Sequence, residues 1–229
     1  MTAQAADKTR LKVQPANPTK GQRTRERLLD LAYGAMITKG IAATSVEEIV
    51  FDAGITKSGF FYHFRDKHDL ARHVLLRYRE SNEALFDQLS ARARELSDDP
   101  LHGFLIFLKL YAEAVTEHVD LAPGCLVATI AFQERSVAHD VRVANVEMVA
   151  AWRARFRDWL DEIVRVYRPN VALDLEVLVD AGWSAVFGSF TLAKTTGASS
   201  VVGVQVMLYR ETIGRIFAQG VRAVEPPTA

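Results

Sequence analysis

The chain has 229 residues, enough for one large domain or two small ones, and nearly half of them are apolar, so a core is available. Formal charge cancels, but not evenly: residues 1–79 hold 14 Lys and Arg against 8 Asp and Glu, which leaves 14 against 20 for the rest. A basic front on an acidic body points to a polyanion as partner of the front half, unless the asymmetry is an accident of the tail. One cysteine, Cys125, excludes an internal disulfide and fits a reducing, cytoplasmic setting.

In chain order, residues 1–20 are polar, carry Pro15 and Pro18 and lack an apolar stretch of signal-peptide type. They read as a disordered basic arm. From Gly21 the pattern turns helical. Leu28, Leu29, Ala32, Ala35 and Met36 share one face of a helix expected to stop at Gly40. Ser45 followed by Glu48 predicts a capping box and a short helix with Val46, Ile49, Val50 and Ala53 inward, ended by Gly54. Thr56 is the expected N-cap of a second short helix. Asp66 then starts a long helix to about Leu96, and Asp98, Asp99 and Pro100 open another to about His118. A short helix is expected over 125–134, a long one over 137–166, and two more over about 173–194 and 201–221. Residues 222–229 read as a flexible tail. Val171–Ala193 is the most apolar stretch, but Asp174, Glu176 and Asp180 make it a poor membrane span and a good buried helix. No strand is predicted, so the fold class is all-α.

The stretch "SVEEIVFDAGITKSGFFYHF", Ser45 to Phe64, has the layout of a helix-turn-helix. Lys57 and Ser58 stand at the start of its second helix, where free N–H groups and the helix dipole favour phosphate oxygen. Gly59 lets the backbone approach DNA. Phe60 and Phe64, spaced i,i+4, are expected in the core. Phe61 and Tyr62 face outward, toward thymine methyl groups or phosphates, with His63 between them.

Extended to "RDKHDL", the segment resembles the DNA-binding signature of the TetR family of bacterial repressors, through Tyr62, Phe64, Lys67 and Leu70. The resemblance is specific over about Arg23 to Val74. It implies nine or ten helices, a homodimer, a double-stranded DNA operator and a small-molecule effector held in a C-terminal domain, with no membrane partner. Carried onto this sequence, Thr24, Ser45, Thr56, Lys57, Ser58, Tyr62, His63 and Lys67 would face DNA. Phe61 departs from the smaller residue that many members carry. The implied layout is a DNA-binding head over 21–68 and a ligand-binding and dimerisation domain over 69–221.

"GCL", Gly124 to Leu126, is similar to a branch of that family that responds to electrophiles or unsaturated acids. A thiol in the first turn of a helix is expected to have a lowered pKa, whereas a buried cysteine is inert. Tyr111, His118, Phe132, Trp152, Trp183 and Phe187 are expected either to line a cavity with Cys125 or to be plain core. Small residues Ala181, Gly182, Ala185, Gly188 and Ser189, with Val202, Val206, Leu208, Ile213 and Phe217, suit a four-helix dimer seam. No H-E-x-x-H, G-x-S-x-G, P-loop or dinucleotide fingerprint occurs, so no metal or cofactor is expected. A cysteine-dependent enzyme using Cys125 with His118 is the alternative to a ligand-responsive repressor.

Overall fold

A computed structural model describes residues 19–121, 124–133, 135 and 137–218, with the side chains of 118–121 left aside. The expected arm, apart from Thr19 and Lys20, and the expected tail lie outside the described residues. Among these residues the chain forms helices and no strand. They are α1 (Lys20–Ala43), α2 (Val46–Ala53), α3 (Lys57–His63), α4 (Lys67–Leu96), α5 (Pro100–Leu121), α6 (Leu126–Phe132), α7 (His139–Val166), α8 (Leu175–Thr196) and α9 (Val201–Ala218).

The helix starts follow local side-chain chemistry. Thr19 caps α1: its Oγ1 accepts from the N–H of Gln22 at 3.2 Å, and Gln22 Oε1 accepts from the N–H of Thr19 at 2.7 Å. This is a full capping box. The box expected at Ser45 is only half formed. Ser45 Oγ accepts from the N–H of Glu48, but the Glu48 carboxylate turns to the ammonium of Lys39. An ion pair competes with the return bond and takes the carboxylate. Thr56, Asp66 and Asp174 cap α3, α4 and α8 through their side-chain oxygens.

Gly40 breaks α1, with φ 88° inside the helix. No L side chain adopts that conformation easily. A Cβ there would also stand 1.9 Å from the amide nitrogen of Gln133, so the glycine serves both the backbone and a close approach. The last turn, Ile41 to Ala43, is thereby redirected toward α2.

The head is α1–α3, and α1 also packs on α4 and α6. α4 runs from the head into the body, where it meets α5 and α7. The body core is largely aromatic. Phe86, Phe104, Phe107 and Phe156 are at most 1 % exposed. Trp152 stacks on Trp183 at 5.1 Å between ring centroids, and Phe104 on Trp159 at 5.7 Å. Each such side chain contributes about 1.5–3 kcal/mol by leaving water.

α8 and α9 pack on each other, and α9 also on α5. α8 is long and apolar enough, by length and composition, to cross a membrane, and here it forms part of this packed body. The seam residues expected on α9 are corrected by this packing. Val202, Val206, Ile213 and Phe217 are buried inside the chain, and only Leu208 of that group faces out. On α8, Gly182 and Ser189 also face inward, while Ala181 and Gly188 are exposed.

Candidate nucleic-acid interface and cavity

α2 and α3 form the helix-turn-helix. Ile49, Val50 and Ala53 anchor α2. Gly54 turns the chain in the left-handed region, φ 66°, and its N–H donates to the carbonyls of Phe51 and Val50. Thr56 Oγ1 accepts from the N–H of Gly59 at 3.2 Å and lies 2.9 Å from Ser58 Oγ. As the sequence predicts, Phe60 and Phe64 are buried, with ring centroids 5.8 Å apart.

What remains on the outer surface of α3 and its cap is Thr56, Lys57, Ser58, Phe61 and Tyr62. Tyr62 is 83 % exposed and Phe61 56 %. His63 is half-buried, edge-on to Tyr62 at 5.0 Å. Gly59 has room for a methyl group, so nothing within the chain itself demands glycine there.

Two of the expected cations already have partners. Lys57 Nζ lies 2.6 Å from Glu47 Oε1, and this bond holds the Glu47 carboxyl below its ordinary range. Lys67 Nζ donates to the carbonyl of Ala42 at 3.1 Å, just past the break in α1. Thr24 is half-buried on α1, its hydroxyl donating to the carbonyl of Lys20. Ser45 is half-buried as the cap of α2. The sequence reading misses Phe51, 84 % exposed on α2, because an apolar residue within a helix reads as core.

In the body lies a cavity of about 470 Å³. Four of the expected residues line it: Tyr111, Cys125, Trp152 and Phe187. The others do not. Trp183 is buried behind the wall, stacked on Trp152, because the wider core claims its ring. Phe132 is 77 % exposed and lines a separate space of about 250 Å³ beside Gly40 and Gln133. The His118 side chain lies outside the described residues. Sequence reasoning misses Tyr33, Arg77, Tyr78 and Phe190, which complete the wall.

Among the described residues, the cavity is polar at its rim and carries no charged side chain within. Arg77 reaches Glu26 Oε2 at 3.0 Å and Asp30 Oδ1 at 2.8 Å. Burial pushes the Tyr33 hydroxyl up to about 12 and raises Tyr78 and Tyr111 further. Cys125 departs from expectation. It caps α6 rather than sitting in its first turn, and it is 5 % exposed. The N–H groups of Ala128 and Val127 and the hydroxyl of Tyr78 do favour a thiolate, but burial outweighs them and the thiol pKa is raised.

Cys125 also borders the smaller space, which separates the cavity from the break in α1. There Gln133 Oε1 accepts from the N–H of Ala42 at 3.3 Å, and Lys194 Nζ of α8 donates to the carbonyls of Ile37 and Thr38. The body therefore holds the end of α1 from two sides.

Known proteins share both halves of this arrangement. Residues 28–74 match the model of bacterial regulatory proteins of the tetR family. The transcriptional regulator AcuR of Cereibacter sphaeroides is 25% identical over 191 residues, covering 79% of this chain and 85% of AcuR. The HTH-type transcriptional regulator AcrR of Shigella flexneri is 41% identical over 49 residues, 21% of this chain and 23% of AcrR. A TetR family transcriptional regulator from Agrobacterium tumefaciens has the same fold, with a TM-score of 0.72 over 86% of this chain and 99% of that one, at 19% identity. These relatives are regulators rather than enzymes. The head thus matches the tetR family model over residues 28–74, and the body shares the fold of a TetR family regulator.

Proposed function

We propose that the protein is a ligand-responsive repressor, which binds a palindromic operator as a homodimer and leaves it when a small molecule fills the cavity. The observation that carries this reading is the position of the cavity. Val74, Arg77, Tyr78, Ser81, Asn82 and Leu85, on successive turns of α4, form one of its walls. The same helix begins directly after α3. A ligand that shifts α4 shifts the reading helix with it.

The surface assigned to DNA is Thr56, Lys57, Ser58, Gly59, Phe61, Tyr62 and His63, flanked by Thr24, Ser45 and Lys67 at the ends of neighbouring helices. The head spans 21–68 and the sensing body begins at 69. Tyr111, Cys125, Trp152 and Phe187 are the assigned ligand contacts, joined by Tyr33 and Tyr78. For the dimer, Val177, Ala181, Ser184, Gly188 and Leu192 of α8 are solvent-facing or exposed at helical spacing, as are Val204 and Leu208 of α9. One short reading helix meets few base pairs, and a two-fold pair places two such helices on one palindrome. A protein that reads a bacterial chromosome works in the cytoplasm.

Cys125 is read here as cavity wall. Its buried, raised thiol does not favour a thiolate sensor.

The test is selection of duplexes from a random library by the purified protein, followed by sedimentation of the complex. An inverted-repeat consensus bound by two chains supports the proposal. A consensus without symmetry, bound by one chain, overturns it.

A further inference from the structure

We infer that the cavity takes an uncharged compound built on one or two aromatic rings, with a hydroxyl or carbonyl as its polar group, and that it rejects organic anions. The inference rests on the reading of the cavity as the effector site.

The cavity volume of about 470 Å³ falls within the range of small-molecule sites, about 300–1,000 Å³. Its inner wall offers ring faces from Tyr111, Trp152, Phe187 and Phe190. Rings set side by side at offset or edge-on geometries prefer another ring between or against them. Two polar groups of the wall are available to a ligand. The Trp152 indole Nε1–H is buried with no hydrogen-bond partner among the described residues, and Tyr111 lines the same cavity. A buried N–H without a partner is costly, and a ligand oxygen would satisfy it and accept from the tyrosine hydroxyl as well.

Charge decides the rest. Among the described residues, Asp30 and Arg77 are the charged ones that line the cavity, and they are bound to each other at 2.8 Å. The far side of the Arg77 guanidinium holds Glu26. Glu26 also lies 3.7 Å from Arg25, so two carboxylates face two guanidiniums at the rim, and a carboxylate ligand would find both cations already paired. Deeper in, it would lose its hydration with no cation to replace it. The tyrosine hydroxyls and the Cys125 thiol keep their protons at neutral pH, so they add no charge of either sign. Among the described residues an ammonium finds no anion inside either, since Asp30 stands at the solvent side with 72% of its side chain exposed and is already paired.

A matched series tests this. Calorimetric titration of the full chain at pH 7 uses 1-naphthol, 1-naphthoate and 1-naphthylmethylammonium, which share one ring system and differ in charge. Two variants accompany it: Ala114→Phe, which fills the cavity from α5, and Tyr111→Phe, which removes one hydroxyl and keeps the ring. The expected result is that 1-naphthol binds at least about tenfold tighter than either ion. Ala114→Phe should abolish that binding, and Tyr111→Phe should weaken it severalfold with the melting temperature unchanged. Binding of either ion as tight as naphthol, lost in Ala114→Phe, overturns the ligand class and leaves the cavity as the site. Naphthol binding untouched by both variants, or no binding of any probe at about 1 mM, overturns the cavity reading as well.

Discussion

The ammonium of Lys194, in the last turn of α8, donates to the carbonyl of Ile37 at 2.6 Å, joining positions 157 apart in the chain. Ile37 is one turn before the break at Gly40, and Thr38, the second acceptor, is next to it. A helix that stops leaves carbonyls without partners, and a cation satisfies them well. The body thus completes the end of a head helix. Lys194→Met removes both bonds and keeps the apolar stem. A hydrogen bond to a charged group contributes about 1.5–3 kcal/mol, less where water competes. The expected loss of stability is about 1–3 kcal/mol by urea unfolding. Amide exchange over residues 38–44 should also quicken more than over α5. Equal quickening everywhere would mean that Lys194 stabilises the fold without holding the head.

The head is legible in the sequence and the cavity is not, for a physical reason. Ser45 to Phe64 is specified locally: caps, a glycine turn and ring spacing act within a few residues. Burial of Phe60 and exposure of Tyr62 follow from helix period alone. The cavity is a tertiary product. Tyr33 and Tyr78 stand on α1 and α4, which pattern assigns to the head and its stem, and only packing brings them beside Tyr111. α9 is apolar on two stripes, so period alone does not tell which stripe meets its own chain. The stripe through Val202, Val206 and Phe217 does, and the one through Val204 and Leu208 does not.

Two glycines of α8 should therefore answer differently to substitution. A Cβ on Gly182 would stand 2.8 Å from the Tyr209 ring, whose hydroxyl is fixed to the carbonyl of Leu178 at 2.9 Å. Gly182→Ala should overpack the α8–α9 contact and cost about 1–3 kcal/mol despite the better helix former. Gly188 has open space around its Cβ direction. Gly188→Leu should leave the folded chain as stable or slightly more so, and shift the proposed dimer toward monomer in sedimentation, with weaker operator binding. A dimer unchanged by the Gly188→Leu substitution would place the interface elsewhere.

Alkaline pH should weaken the fold. The pKa values of Tyr33, Tyr78, Tyr111 and Cys125 are all raised by burial. A group that holds its proton more tightly when folded contributes full stability below its unfolded pKa and loses it as pH rises beyond. For Tyr33 the window runs from 10.0 to about 12. For Cys125 it opens lower, above 9.0. The urea midpoint should fall from about pH 9 upward, first through the thiol and then through the phenols. Cys125→Ser should flatten the first part only. Alkylation of the native thiol by iodoacetamide should be slow at pH 7 and rise with pH past the range of a free cysteine. Rapid alkylation at pH 7 would restore a sensing thiolate.

The salt bridge between Lys57 and Glu47 gives the sharpest test of the proposed DNA-reading surface. Both side chains are well exposed, at 60% and 65%, so the pair contributes little to folding. Its effect on DNA binding should be larger in proportion. To reach a phosphate, Lys57 must leave Glu47, and the carboxylate then stands near the DNA as an uncompensated negative charge. Glu47→Gln removes both obstacles. It should raise affinity for specific and random duplexes alike, up to about fivefold, with the melting temperature unchanged. Lys57→Met should lower affinity and reduce the slope of log K against log salt by about one, as should Lys67→Met if its remaining N–H groups meet phosphate. In the Lys57→Met background the gain from Glu47→Gln should shrink, because the two side chains act through one contact. A gain of the same size with and without Lys57 would show that Glu47 acts only through its own charge, and Lys57 would leave the list of contacts.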